Sequence, residues 1–263
     1  MRLYWEIAVR AFRRATAYRT AYLAGLITNA FFGAVLSFVY LAVYGASDGP
    51  VAGFSVRDAV SYVWITQSLI SVGAGWASWE LADTIRSGDV VTDMSRPWSF
   101  YGYWLSKSLG ERAFNLLVRG AFTYLIGVLY FGAYVPSGGE LAAFVLTIAL
   151  AMLVSFAFGF MLNLTAFWLL DVTGVSIISS VVLQLFSGFL VPLAFLPRPL
   201  QVVADLLPFR AITSVPAQTF LGKISGPDLV AALALQLFWV AVMTVLAWLV
   251  LRRAVLKVVV QGG

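Results

Sequence analysis

Arg112 and Arg119 stand seven residues apart in an apolar stretch, a spacing that puts both guanidinium groups on one face of a helix. Lys107 and Glu111 lie near one end of that stretch. A charged side chain at membrane depth is costly and often marks a functional path. Both arginines also fall close to the end of the apolar run, where a long basic side chain can return its head to the interface. Snorkelling, or pairing with Glu111 or Glu80, is therefore the expectation. The amides Gln67, Asn163 and Gln184 stand alone in their apolar surroundings and are expected to hydrogen-bond between helices.

Much chemistry is excluded at once. The chain has no Cys and no His, so disulfides, thiolate or imidazole metal sites and a Ser-His-Asp triad are out. No G-x-x-x-x-G-K-[ST] sequence is present to cradle a nucleotide. The expected cofactor content of the chain is none, with no catalytic residue and no metal ligand. No chain of buried acids crosses the apolar segments, which leaves little for a proton or sodium gradient to act on.

Two segments carry the remaining signals. The first runs from Trp79 to Pro97. Gly88 is suited to end one helix, Asp89 to cap a short second one containing Val90, Val91 and Met94, and Pro97 to close it. The product is a small, partly apolar knob beside Asp93 and Arg96, fit to dock into a partner's groove. Packing on lipid headgroups is the alternative. The second segment spans 196–227 and includes Pro197, Pro199, Pro208 and Pro216. It is too apolar for a free loop and too often broken for a simple span. Irregular backbone at membrane depth is tolerated where it is buried or lines a cavity, which points to re-entrant helices. An ordinary folded extracellular loop is the other reading.

The elements that must position these residues are membrane spans. The chain of 263 residues is 61% hydrophobic and 11% charged, against roughly a quarter charged in a soluble domain. Continuous apolar runs of about 20 residues point to helices rather than a β-barrel. Six spans are expected, at about 21–44, 56–82, 113–134, 141–170, 175–195 and 229–251. The whole chain, 1–263, is expected to be one transmembrane domain, all-α and polytopic. Residues 1–19 read as an amphipathic interfacial helix rather than a cleavable signal. Tyr4, Ala8, Ala11, Ala15, Tyr18 and Tyr22 recur on one side; Arg2, Glu6, Arg10 and Arg13 recur on the other. In span two, Ser71, Gly73, Ala74, Gly75 and Ala77 form a small-residue patch suited to close helix approach. Asp171 is placed to cap span five.

Basic residues set the orientation. Thirteen of the 17 Lys and Arg fall in the N-terminus, the 83–119 region and the tail; only Arg57, Arg198, Arg210 and Lys223 fall on the other side. The positive-inside rule then places both termini in the cytoplasm and makes 83–98 a cytoplasmic loop. Nucleic acid is not an expected partner, because the basic residues flank spans.

This layout resembles the membrane subunit of an ABC-2 type (type V) exporter. Ile85-Arg86-Ser87-Gly88-Asp89, Arg96-Pro97 and Tyr101-Gly102-Tyr103 are similar to the ABC-2 permeases that include viologen and drug exporters. The resemblance implies a bacterial plasma-membrane permease that pairs with a second permease, identical or related, and binds two copies of an ATPase subunit. ATP and Mg would then sit on that partner. It also implies roles for residues. Asp89, Val90, Val91, Asp93, Met94 and Arg96 would make the ATPase contact, with Arg10, Arg13 and Arg14 on the interfacial helix. Gln67, Gly73, Gly75, Gln184 and Gly188 would lie near the dimer pathway, and Phe195, Pro197 and Pro199 at an outward gate. The expected function is a translocation pathway for a small amphiphilic compound, drug or lipid-like substrate. A gradient-driven transporter or channel without an ATPase is the alternative, and an intramembrane enzyme a distant third.

Overall fold

The computed structural model describes residues 2–17, 19–46, 49–73, 79–169 and 171–257, leaving aside the side chains of Arg19 and Ala21. Tyr18, Ala74, Gly75 and Ala77 lie outside the described residues. The described chain is helical, with no strand and one isolated bridge between Val51 and Phe54.

Helix α1 (Arg2–Ala15) is amphipathic: Arg2, Glu6, Arg10 and Arg13 are exposed, while Ala11 is buried. Helix α2 (Arg19–Gly45) follows, then α3 (Val56–Ser68), which opens on a capping box between Ser55 and Asp58. Short helices α4 (Glu80–Ser87) and α5 (Val90–Met94) precede α6 (Phe100–Phe114). A π-helical turn, Asn115–Gly120, joins α6 to α7 (Ala121–Phe131) in one long rod. Helix α8 (Gly138–Leu164) starts from a second capping box, Ser137 with Glu140. Helix α9 (Thr173–Phe186) is followed by α10 (Arg198–Asp205), α11 (Ser214–Phe220) and α12 (Gly226–Val255).

Four of these stretches are long and apolar enough to cross a membrane: Tyr22–Gly45, Phe100–Phe131, Gly138–Phe167 and Gly226–Val255. Large apolar side chains stand exposed along them, Phe31, Phe38, Leu129, Val145 and Phe238 among them. Such faces suit hydrocarbon rather than water.

The two faces of the bundle are distinct. On one, Leu81 of α4, Trp104 of α6, Phe160 and Leu164 of α8 and Ala254 of α12 form one apolar cluster. Helix α1 lies on α6 at this end, so it is the N-terminal face. On the opposite face, Lys223 Nζ meets the Asp58 carboxylate at 2.9 Å and donates to the Gly53 carbonyl at 3.1 Å. Helix α11 sits inside the bundle there, with Ser214, Val215, Pro216, Ala217, Thr219 and Phe220 all buried.

Several sequence expectations need correction. The expected span two is a helix through Ala82, but α3 stops at Ser68 and a new helix begins at Glu80. The small Ser and Gly residues between them give poor helix propensity, and side chains of α6 and α8 take up the Val72 carbonyl. Span three starts thirteen residues earlier than expected, at Phe100 rather than Ala113, because Ser99 caps the helix by accepting from the Gly102 amide. Span five ends at Phe186 rather than Phe195. Gly188 follows in the left-handed region at φ +80°, and Pro192 prevents a return to helix. At the start of α9 the N-cap position belongs to Val172. Asp171 still accepts from the Thr173 hydroxyl (2.6 Å) and amide (2.8 Å), which hold its carboxyl below the usual range.

Candidate functional site

A cavity of about 320 Å³ opens beside the break after α3. Its wall combines Ser71, Glu80 and Leu81 from either side of the break with Trp104, Lys107, Ser108, Glu111 and Arg112 from α6. Asn115 and Arg119 of the π turn and Phe156, Phe160 and Asn163 of α8 complete it.

Arg112 is only 7% exposed, so the snorkelling expectation fails. Helix α6 begins early enough that Arg112 sits about three turns inside it. The guanidinium folds inward instead. Its Nη1 donates to the Val72 carbonyl and the Ser155 hydroxyl, both at 2.7 Å, and its Nε donates to Ser108 Oγ at 3.0 Å. Ser155 also donates to the Val72 carbonyl. A carbonyl freed by the end of α3 is thereby satisfied by α6 and α8, as buried backbone groups require. Arg119 does not pair with an acid either: its Nη2 donates to Asn29 Oδ1 at 2.9 Å, and Asn29 Nδ2 donates to the Gln67 carbonyl at 3.1 Å. The π turn that carries Arg119 also lays Gly120 against the Ser68 carbonyl, where any Cβ would collide. π-helical turns recur at functional sites.

The break is bridged from α8 as well. Asn163 Oδ1 accepts the Ala82 amide at 3.0 Å while its Nδ2 donates to the Gly159 carbonyl, so the expected interhelical amide bond forms. Gln67 takes part through its backbone carbonyl.

At the rim of the cavity Glu80 gathers three elements. Its carboxylate meets Lys107 of α6 at 2.6 Å and Arg14 of α1 at 3.8 Å. Helix α1 is pressed on α6: the Ala8 carbonyl covers Gly110, the Tyr4 ring covers Gly102, and the Tyr4 hydroxyl accepts from the Ser99 amide at 3.1 Å. Close packing of this kind moves as a unit. Arg10 and Arg13 remain exposed on the other side of α1.

The knob forms as two short helices. Gly88 ends α4 in the left-handed conformation, at φ 84°. Asp89 occupies the N-cap position of α5 but gives no capping bond; its carboxylate accepts from the Ser87 hydroxyl at 2.7 Å. Val90 is 3% exposed and anchors the knob, whereas Val91 is 38% exposed and faces out. Met94 and Asp93 are half-buried, and Asp93 pairs with Arg96 at 3.9 Å. The apolar part of the outward surface is thus smaller than the sequence suggests.

The remaining expected residues fall toward the other face. Gly73 packs against Leu183 of α9. The Gly188 carbonyl accepts from Tyr62 Oη at 2.7 Å, and Gln184 is half-buried nearby on α9. Phe195 stands edge-on to Tyr40 (6.0 Å) and Phe54 (5.5 Å), and Pro197 and Pro199 begin α10. Gly75 lies outside the described residues. Sequence reasoning misses Trp104 and Ser108 on the cavity wall, and Asn29 and Ser155 as partners of its arginines; a signal exists for Asn29 and Ser155, which are polar residues inside apolar spans.

No curated protein matches the chain. Over residues 31–262, most of its length, the sequence matches the family described as ABC-2 family transporter protein. With its four long apolar helices and this match, the chain is a membrane-embedded member of the ABC-2 transporter family.

Proposed function

We propose that this chain is the permease subunit of an ATP-driven exporter, with a separate ATPase subunit supplying the energy. The observation that carries the proposal is Glu80, which ties the first helix of the knob to α1 and to Lys107 at the cavity rim. A push on α4 and α5 is thereby delivered to the cavity wall. ABC-2 permeases work with an ATPase partner; two copies of it would contact Asp89, Val91, Asp93 and Met94 on the knob, with ATP and Mg held by the partner. The N-terminal face, rich in Arg and Lys, would be cytoplasmic in a bacterial plasma membrane.

The full pathway would have six crossings. Four are the long helices; the second is α3 with the turns that follow it, and the fifth is α9 with the turn at Gly188. Helices α10 and α11 would be the re-entrant segment. Two such chains, identical or related, would pair. ATP binding would close the ATPases, rock the broken second and fifth crossings, and change access to the cavity, a rigid-element transition biased by a ligand. The cargo would be a small amphiphile.

The test is purification of the tagged chain in mild detergent with mass spectrometry of its companions. A stoichiometric P-loop ATPase is expected, and it should be lost when Asp93→Lys is combined with Met94→Glu. A chain that purifies alone and still drives uptake on an ion gradient would overturn the reading.

A further inference from the structure

Two arginines line the cavity without a direct ion pair of their own, although Glu80 and Glu111 line it too. Among the described residues, neither Arg112 nor Arg119 has a carboxylate within the 4.0 Å of an ion pair. Glu80 is engaged by Lys107 and Arg14, and Glu111 makes no ion pair among the described residues. Arg112 uses Nε and Nη1 on neutral oxygens, which leaves Nη2 without a protein partner. Arg119 Nε is buried with no hydrogen bond, and so are Trp104 Nε1 and Ser71 Oγ on the same cavity wall. Buried charges are ordinarily paired, and a buried donor left unmade is costly. Three cations on this wall, Lys107, Arg112 and Arg119, face two carboxylates, Glu80 and Glu111, so positive charge is in excess and these donors lack acceptors.

The rest of the wall is apolar. Trp104, Phe156 and Phe160 line the same cavity, which at about 320 Å³ is the size of a small-ligand site. A second recess of about 320 Å³ reaches Glu111, Asn115 and Arg119 from the α1–α2 side, lined there by Tyr22 and Phe114. Arg119 is therefore approached from two directions.

We infer that the cavity binds an amphiphile with an anionic head, a phosphate or carboxylate, held between Arg112 and Arg119 with its apolar part against Trp104, Phe156 and Phe160. An organic cation would meet a wall whose three cations outnumber its two carboxylates, and would be disfavoured. This assignment rests on the permease reading and narrows its cargo. Structural bridging of the Val72 carbonyl explains one face of Arg112 but needs no charge at Arg119, whose acceptor among the described residues is the neutral Asn29 amide.

The test uses the full chain in phosphatidylcholine nanodiscs, with the fluorescence of Trp104 and its neighbours as readout. Octyl phosphate should bind saturably. Arg119→Gln should weaken it by about tenfold or more, as loss of a charge-assisted contact does, with Arg119→Lys in between. Arg112→Gln should do the same where the variant stays folded, and Arg119 carries the test where it does not. Octyltrimethylammonium should neither bind saturably nor compete. Equal binding of the cation, or unchanged affinity in Arg119→Gln, overturns the inference. Displacement by inorganic phosphate at equal concentration overturns the amphiphile in favour of a free anion. The readout needs no ATPase, so a chain that binds octyl phosphate yet recruits no ATPase loses the exporter reading alone.

Discussion

Arg112 and Asn163 do for the break between α3 and α4 what continuous helix would otherwise do. Each satisfies a backbone group that the break leaves open, the Val72 carbonyl in one case and the Ala82 amide in the other. Asn163 gives the cleaner test because it is neutral and buried. Asn163→Leu replaces it at similar size but abandons the Ala82 amide in an apolar site, which costs about 1–3 kcal/mol. Thermal unfolding in a fixed detergent should show that loss, and an unchanged midpoint would mean that the amide finds another acceptor. Asn163 itself is legible in the sequence as an isolated polar group in a span. Its partner is not, because the partner exists only where a helix fails. Arg112 is equally visible as a residue, but its depth is not. Snorkelling depends on distance from the helix end, and the Ser99 cap moves that end by more than three turns.

At the level of elements, the seam between α1 and α6 is the most constrained contact. The Ala8 carbonyl rests where a side chain at Gly110 would have to be, and it is backbone, so it cannot rotate away. Gly110→Leu should therefore lift α1 off α6, at a cost of about 1–3 kcal/mol for an overpacked contact. Trypsin should then cut faster at Arg10 and Arg13, which lie on α1. Gly138→Leu, where a Cβ meets open space, is the matched control. Equal cleavage of the two variants would show that α1 is held elsewhere. Amphipathic spacing alone makes α1 readable, since Arg2, Glu6, Arg10 and Arg13 do fall on its exposed side. The four long apolar helices are readable for a related reason, as hydropathy reports length directly. Where α3 and α9 stop is not. Their boundaries depend on which carbonyls other helices can reach, as with Val72, and on the left-handed turn at Gly188. Ser71, Gly73, Gly188 and Pro192 weaken those runs in the sequence, but which carbonyl a neighbouring helix reaches is a tertiary fact.

Across the whole molecule, the two faces are closed by different means, and the difference predicts sidedness. On the N-terminal face the cavity is bounded at its rim by Glu80 and Lys107, side chains that solvent reaches in part. On the opposite face Phe54, Tyr40 and Phe195 meet edge-on, and Lys223 covers the Phe54 ring at 4.5 Å while holding Asp58 and the Gly53 carbonyl. An aromatic plug under a charged clasp blocks water more completely than a polar rim. The chain lacks Cys, so single thiols can report access with no background. Asn115→Cys, on the cavity wall and half-buried, should react with a membrane-impermeant maleimide added to the N-terminal face and not from the other side. Ser187→Cys lies buried beside the Gly188 turn and should resist the reagent from either side. Lys223→Met removes the clasp while leaving the rim intact. In that background Ser187→Cys should become reactive from the opposite face, while Asn115→Cys keeps its original side. If Asn115→Cys reacts equally from both faces in the unaltered chain, the aromatic plug does not seal it. If Lys223→Met changes nothing at Ser187→Cys, the seal lies in the rings alone and the clasp only orders the loop. Opening on the removal of one cation would mark this closure as a segment of low local stability, the end of the range from which moving elements are drawn.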